Sequence, residues 1–108
     1  MLASLGVRKI LAWRDPVNMR KSFDGLVAVV MNTLGEDPLS NSLFIFINRR
    51  GNYLKLVYWD RTGFCLFAKR LERGRFALTG TEKKQELNEQ MFRLILDGIV
   101  LGSASRMR

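Results

Sequence analysis

Between Ser42 and Leu78 the chain repeats one pattern, a short apolar run followed by a tight polar turn. The runs Ser42 to Ile47, Tyr53 to Trp59 and Phe64 to Arg70 are rich in aromatic and branched residues, which fit a pleated surface. Asn48-Arg49-Arg50-Gly51-Asn52 and Asp60-Arg61-Thr62-Gly63 divide them, and Glu72-Arg73-Gly74 leads into a last run, Arg75-Phe76-Ala77-Leu78. Loops this short favour antiparallel neighbours, so the segment reads as a meander of about four strands. Ser42 to Ile47 is apolar at both alternations, which predicts a strand covered on both faces. In the next run, alternation puts Leu54, Leu56 and Tyr58 on a buried face and Tyr53, Lys55, Val57 and Trp59 on an exposed one.

The flanks of this segment carry helical signals. Phe23, Leu26, Val27, Val30, Met31 and Leu34 form an apolar stripe at helical spacing. Asn18 reads as the cap of a helix over Met19 to Leu34, and Gly35 as its stop. Gly25 inside it costs about 1 kcal/mol relative to alanine, so close packing is expected there. Ahead of the helix, Val7 to Trp13 reads as a short strand or extended arm, closed by Asp15-Pro16. Thr79 to Glu86 is a polar connection. Asn88 then caps a final helix from Glu89 to about Asp97, ended by Gly98 and with Met91, Leu94 and Ile95 on its buried face. Leu87 before that cap and Phe92 within the helix form a hydrophobic staple.

The expected fold class is therefore α+β: an antiparallel β-meander flanked by an N-terminal and a C-terminal helix, the two helices covering its inward face. A length of 108 residues makes this a single domain, placed at residues 1–101, with 102–108 as a flexible tail.

Side-chain inventory narrows the chemistry. The chain has no histidine, which removes Cys-His and Ser-His dyads and imidazole ligands for zinc. Its single cysteine, Cys65, sits in the apolar run Phe64 to Phe67 and reads as a buried structural thiol. Asp15, Asp24, Asp60 and Glu72 each have a local role, before a proline, on a helix flank or in a turn, rather than forming a metal-binding carboxylate cluster. We expect no catalytic residue, no metal site and no cofactor. The longest uninterrupted apolar run, Leu26 to Met31, is far too short to span a membrane, and no secretory signal is visible. A reducing, cytoplasmic setting fits the lone thiol.

Charge is the most informative property. The net charge is +8, and its distribution is uneven. Residues 1–42 hold five basic and four acidic side chains, and residues 79–108 again hold five and four. Residues 43–78 hold Arg49, Arg50, Lys55, Arg61, Lys69, Arg70, Arg73 and Arg75 against only Asp60 and Glu72. A field so localised favours a polyanion. Arginine suits phosphate because its planar fork bonds two oxygens at once. These eight residues are the candidate nucleic-acid contacts, together with Arg20 and Lys21 at the start of the first helix, where exposed amides also favour an anion. Trp59 and Tyr53 are candidates for stacking on unpaired bases. Five or six phosphate contacts would give a slope of log K on log salt of roughly −5. The plainer alternatives are that the cations deter strand aggregation, that Arg20 and Lys21 pair with Asp24, and that the aromatics are sheet core. Base-reading polar residues on a recognition helix are absent, so weak sequence specificity is expected.

Several blocks together resemble the accessory protein encoded by the second open reading frame of the insertion-sequence sixty-six family, often called TnpB. They are Asn18 to Leu26, Asp37-Pro38 and the long stretch Leu43 to Phe76. The last contains Arg50-Gly51, Leu54-Lys55, Trp59-Asp60, Gly63 to Leu66, Lys69 to Glu72 and Gly74 to Phe76 in the family's order and spacing. Asn18 and Ser22 stand where the family usually has Asp and Gly, and Asn is as good a helix cap as Asp. The unrelated RNA-guided nuclease that shares the name TnpB has no counterpart here. The resemblance implies a non-catalytic part in transposition beside a separately encoded transposase. Its expected partners are DNA and proteins of the same element. An adaptor that touches the transposase but not DNA is the alternative, and the oligomeric state is left open.

Overall fold

The apolar run near the N-terminus is a full strand rather than an arm. In the computed structural model, which describes residues 7, 9–78 and 80–98, β1 (Lys9–Trp13) lies inside the sheet. It runs parallel to β2 (Ser42–Ile47), with Ile10 opposite Leu43 and Ala12 opposite Ile45. Parallel neighbours need a crossover, and residues 14–41 supply it through a helix. The helix is α1 (Phe23–Val29), continued by a π-helical turn over Val30–Leu34.

Strands β3 (Tyr53–Asp60) and β4 (Gly63–Arg70) follow β2 as the expected antiparallel meander. The fourth run of that meander does not form. Residues 71–78 instead fold back over the β2–β3 turn, where the Phe76 amide donates to the Gly51 carbonyl at 2.7 Å. The polar stretch before the last helix contains the missing strand, β5 (Lys84–Leu87), antiparallel to β1. Its polarity follows from its place at an edge: Glu86 is exposed, the Lys84 ammonium donates to the Leu34 carbonyl at 3.2 Å and pairs with Glu36, and Leu87 alone is fully buried. The fold is thus α+β with a five-stranded mixed sheet, ordered β4-β3-β2-β1-β5, in place of a four-stranded meander.

The helices do not share a face. Ile10, Ala12, Leu43, Ile45, Ile47, Leu54 and Leu56 pack with Phe92 and Ile95 of α2 (Glu89–Leu96). Leu11, Phe44, Phe46 and Val57 pack on the opposite side with Leu26, Val30 and Leu34. Strand β2 feeds both clusters with alternate residues, which is why it is apolar throughout. Burial of Phe44 and Phe46, both 1% exposed or less, contributes on the order of 2–3 kcal/mol per ring.

This layering corrects the expected exposed face of β3. Lys55 and Val57 are 8% and 1% exposed, Val57 packed with Leu26, Val30 and Leu34 and Lys55 held against the Lys21 carbonyl just ahead of the first helix. Cys65 is half-buried rather than buried, since β4 lies at the edge of the sheet.

The first helix also starts later than its sequence signals indicate. Asn18 caps a separate turn, accepting from the Arg20 amide at 2.8 Å through its side chain and from the Lys21 amide at 3.1 Å through its carbonyl. Residues Leu26, Val30 and Leu34 form the buried line, while Phe23 and Met31 are exposed. Gly25 is tightly packed as expected, with room for a Cβ only 3.0 Å from that of Lys21. The second helix keeps its expected cap and staple, but its buried face is Phe92 and Ile95 with Met91 and Leu96 packed beside them, and Leu94 lies outside the core clusters. Asn88 accepts from the Met91 amide at 2.7 Å, and the staple pair Leu87 and Phe92 lies in one core cluster. The proposed tail, residues 102–108, lies outside the described residues.

Candidate nucleic-acid interface

The β2–β3 turn is built by one asparagine. The Asn48 side-chain oxygen accepts from the amides of Asn52 and Tyr53 at 3.1 and 3.2 Å, and its amide group donates to the Asn52 side chain at 2.9 Å. Gly51 takes φ +76°, a left-handed conformation that glycine adopts at little cost. The turn holds Arg49 and Arg50 out into solvent.

The 71–76 segment brings more cations to the same place. It is tied at both ends, because the Leu71 amide donates to the Asn52 carbonyl at 2.8 Å and the Phe76 amide to that of Gly51. Arg73 therefore lies in a loop anchored on the arginine turn. Arg75 packs its guanidinium over Gly51, where a Cβ would come within 3.0 Å of Nε.

Two clefts open at this end of the sheet. One, of about 390 Å³, is lined by Pro16, Val17, Asn18, Met19, Asn48, Arg49 and Arg50. The other, of about 380 Å³, includes Arg14, Arg49, Gly51, Arg75 and Leu78 in its wall. They share Pro16, Asn48 and Arg49, so they adjoin, and neither lining contains a carboxylate. Among the described residues no acid stands within ion-pair distance of Arg49, Arg50, Arg73 or Arg75.

Of the remaining candidates, Lys55, Lys69 and Arg61 do not join this group, whereas Arg70 lies opposite Tyr53 at the same end of the sheet and Arg20 and Lys21 directly follow Met19 of the first cleft without lining it. Lys55 is buried, its ammonium donating to the Lys21 carbonyl at 2.8 Å and lying 5.9 Å from the Tyr53 ring centre. The Lys69 ammonium donates to the Leu96 carbonyl at 2.7 Å, which satisfies the end of α2 and favours its dipole. Arg70 ends β4 and meets Glu72 at 3.5 Å, both well exposed. Arg61 tips the opposite end of the β3–β4 hairpin beside Asp60 at 3.6 Å; eight residues of β3 separate it from Arg50, roughly 25 Å at the usual strand rise. Arg20 and Lys21 are exposed in the turn ahead of α1, and no pairing with Asp24 forms.

Tyr53 and Trp59 are both half-buried. Tyr53 lines a cleft of about 220 Å³ with Ala68, Lys69, Arg70 and Glu72. The Trp59 ring meets Phe64 edge-to-face, with centroids 5.0 Å apart. Arg14 is the residue that sequence reasoning missed. It follows β1 directly and donates to the Glu82 carbonyl at 3.0 Å and the Gln85 side chain at 3.2 Å, while lining the second cleft. Only the insertion of β1 beside β5 brings it there, so no local signal marked it.

Among the described residues there is no group of three or more Cys, Asp or Glu side chains placed to hold a metal ion. No described helix is long and apolar enough to cross a membrane.

Comparison with known proteins agrees with the resemblance noted from the motifs. The chain is 43% identical over 65 residues to the uncharacterized protein y4hO of Sinorhizobium fredii, covering 60% of this chain and 56% of that protein. It is 40% identical over 73 residues to the uncharacterized protein y4jC of the same organism, covering 68% and 62%. The matches thus span about three fifths of the length of these relatives. No solved structure matches the chain. The sequence profile of IS66 Orf2-like proteins matches residues 8–106, nearly the whole chain, and the protein belongs to that family.

Proposed function

We propose that this protein assists transposition of an insertion sequence by gripping the DNA backbone at the arginine-lined end of its sheet, with catalysis left to a separate transposase. The observation that carries the reading is the pair of adjoining clefts walled by Arg14, Arg49, Arg50 and Arg75 without an acidic side chain. Arg49, Arg50, Arg73 and Arg75 are the phosphate contacts. Lys55, Lys69 and Arg61 fall outside the contact set, because the first two serve carbonyl groups and the third sits at the far hairpin tip.

Four contacts set a lower salt dependence than the charge count alone. The slope of log K on log salt for duplex DNA is about −3.6, and for a single strand about −2.8. Titration of both DNA forms at roughly 50 and 200 mM salt tests this, with a duplex affinity loss of about two orders of magnitude expected. Combining Arg49→Ala with Arg50→Ala halves the duplex slope, to about −1.8. Failure of either DNA to bind at the lower salt overturns the reading and leaves the adaptor role, in which the chain contacts only the transposase.

A further inference from the structure

The two edges of the sheet are built differently. Strand β5 is four residues long, with exposed Lys84 and Glu86, the usual protection against unwanted pairing. Strand β4 is twice as long and, among the described residues, pairs on one side only, with β3. Its first six residues, Gly63-Phe64-Cys65-Leu66-Phe67-Ala68, carry no charge and no proline. Phe67 is 46% exposed at the middle of this edge. Alternate backbone amides and carbonyls along eight residues therefore face outward beside an apolar side chain, the arrangement that templates another strand.

We propose that β4 pairs with β4 of a second copy of this chain, antiparallel about a two-fold axis at Phe67, to give a ten-stranded sheet. The strand is self-complementary in that register. Phe67 meets its own counterpart, Leu66 meets Ala68, and Phe64 meets Arg70, whose guanidinium can lie on the ring. In this register Thr62 comes opposite Glu72 of the other copy, so Arg61 is offset from Glu72 by one residue, and the side chains of Arg61 and Glu72, 90% and 82% exposed, make only loose pairs of 3.6 and 3.5 Å within one copy. The antiparallel arrangement also sets the two arginine turns at opposite ends of the joined sheet, so that one dimer presents two separate basic ends.

Light scattering or sedimentation of the full chain without DNA tests this, at roughly 0.1 mM, where associations of micromolar Kd are populated. The expected mass is twice 12.4 kDa, falling to 12.4 kDa for Phe67→Lys. Far-ultraviolet dichroism identifies a Phe67→Lys protein that has lost its fold. The register has a separate test in a Cys65→Ser background. Phe67→Cys places two thiols across the axis at a Cα separation of about 4.5–5.5 Å, within disulfide range, and oxidation cross-links the pair. Thr62→Cys in the same background stays uncross-linked, its copies roughly 33 Å apart at the usual strand rise. A wild-type protein of 12.4 kDa at this concentration overturns the proposal. So does a folded Phe67→Lys dimer, or cross-linking at position 62 in preference to 67.

Discussion

The Lys55 ammonium donates a 2.8 Å hydrogen bond to the Lys21 carbonyl, joining the middle of the sheet to the backbone just ahead of the first helix. Both residues are basic, and one of them spends its charge on the fold. A lysine this buried, 8% exposed, is retained because its head still meets an acceptor and an aromatic ring.

Replacing it separates structure from binding. Lys55→Met keeps most of the packed volume but loses a charge-assisted hydrogen bond, so urea unfolding should show a loss of about 1–2 kcal/mol. The salt slope of DNA binding should stay unchanged, since this ammonium is not a phosphate contact.

Gly51→Ala should damage both stability and binding. At φ +76° a side chain costs about 1–2 kcal/mol. The added methyl group also meets the Arg75 guanidinium at 3.0 Å and displaces it. Urea unfolding should report the first effect. Duplex titration should report the second, as a weaker affinity even where the protein is fully folded.

The two asparagine caps should differ in weight. Asn88 satisfies the first turn of α2, and Asn88→Ala should cost about 1 kcal/mol by thermal or urea unfolding. Asn18 serves only the exposed turn before α1, so Asn18→Ala should fall within about 0.5 kcal/mol of wild type.

Alkaline pH should expose the environment of Tyr58. Partial burial raises its phenol above the ordinary value of 10.0, and the neighbouring Cys65 side chain and the Asp60 carboxylate raise it further. A raised folded value means that the folded state holds the proton more tightly. This stabilising contribution is complete below pH 10 and is lost as pH rises through the folded value. Urea midpoints measured from pH 8 upward should fall above pH 10, and Tyr58→Phe should flatten that decline.

Much of the local structure was legible in the chain itself. The β2-β3-β4 meander and the capped, stapled second helix depend on turns and caps close in sequence, which spacing and turn chemistry report directly, and the two-faced burial of β2 shows in its unbroken apolar run although distant helices supply the cover. The pairing of β1 and the strand character of Lys84–Leu87 were not legible in this way. Both arise from partners more than thirty residues distant, and β5 shows solvent polar residues where a core strand shows apolar ones. The delayed start of the first helix belongs with them, since Asn18 makes an equally good cap for a short turn.

For the candidate site, the sequence by itself determined that the chain carries uncompensated positive charge between residues 43 and 78, and which residue types supply it. Tertiary structure decided which of those charges face solvent together. Hydrogen bonds from Leu71 and Phe76 bring the second cationic loop onto the arginine turn, while Lys55 is held against the Lys21 carbonyl just ahead of the first helix and the length of one hairpin carries Arg61 away. Charge is a property of each side chain alone. Its convergence depends on the distances that chain folding sets between segments far apart in sequence.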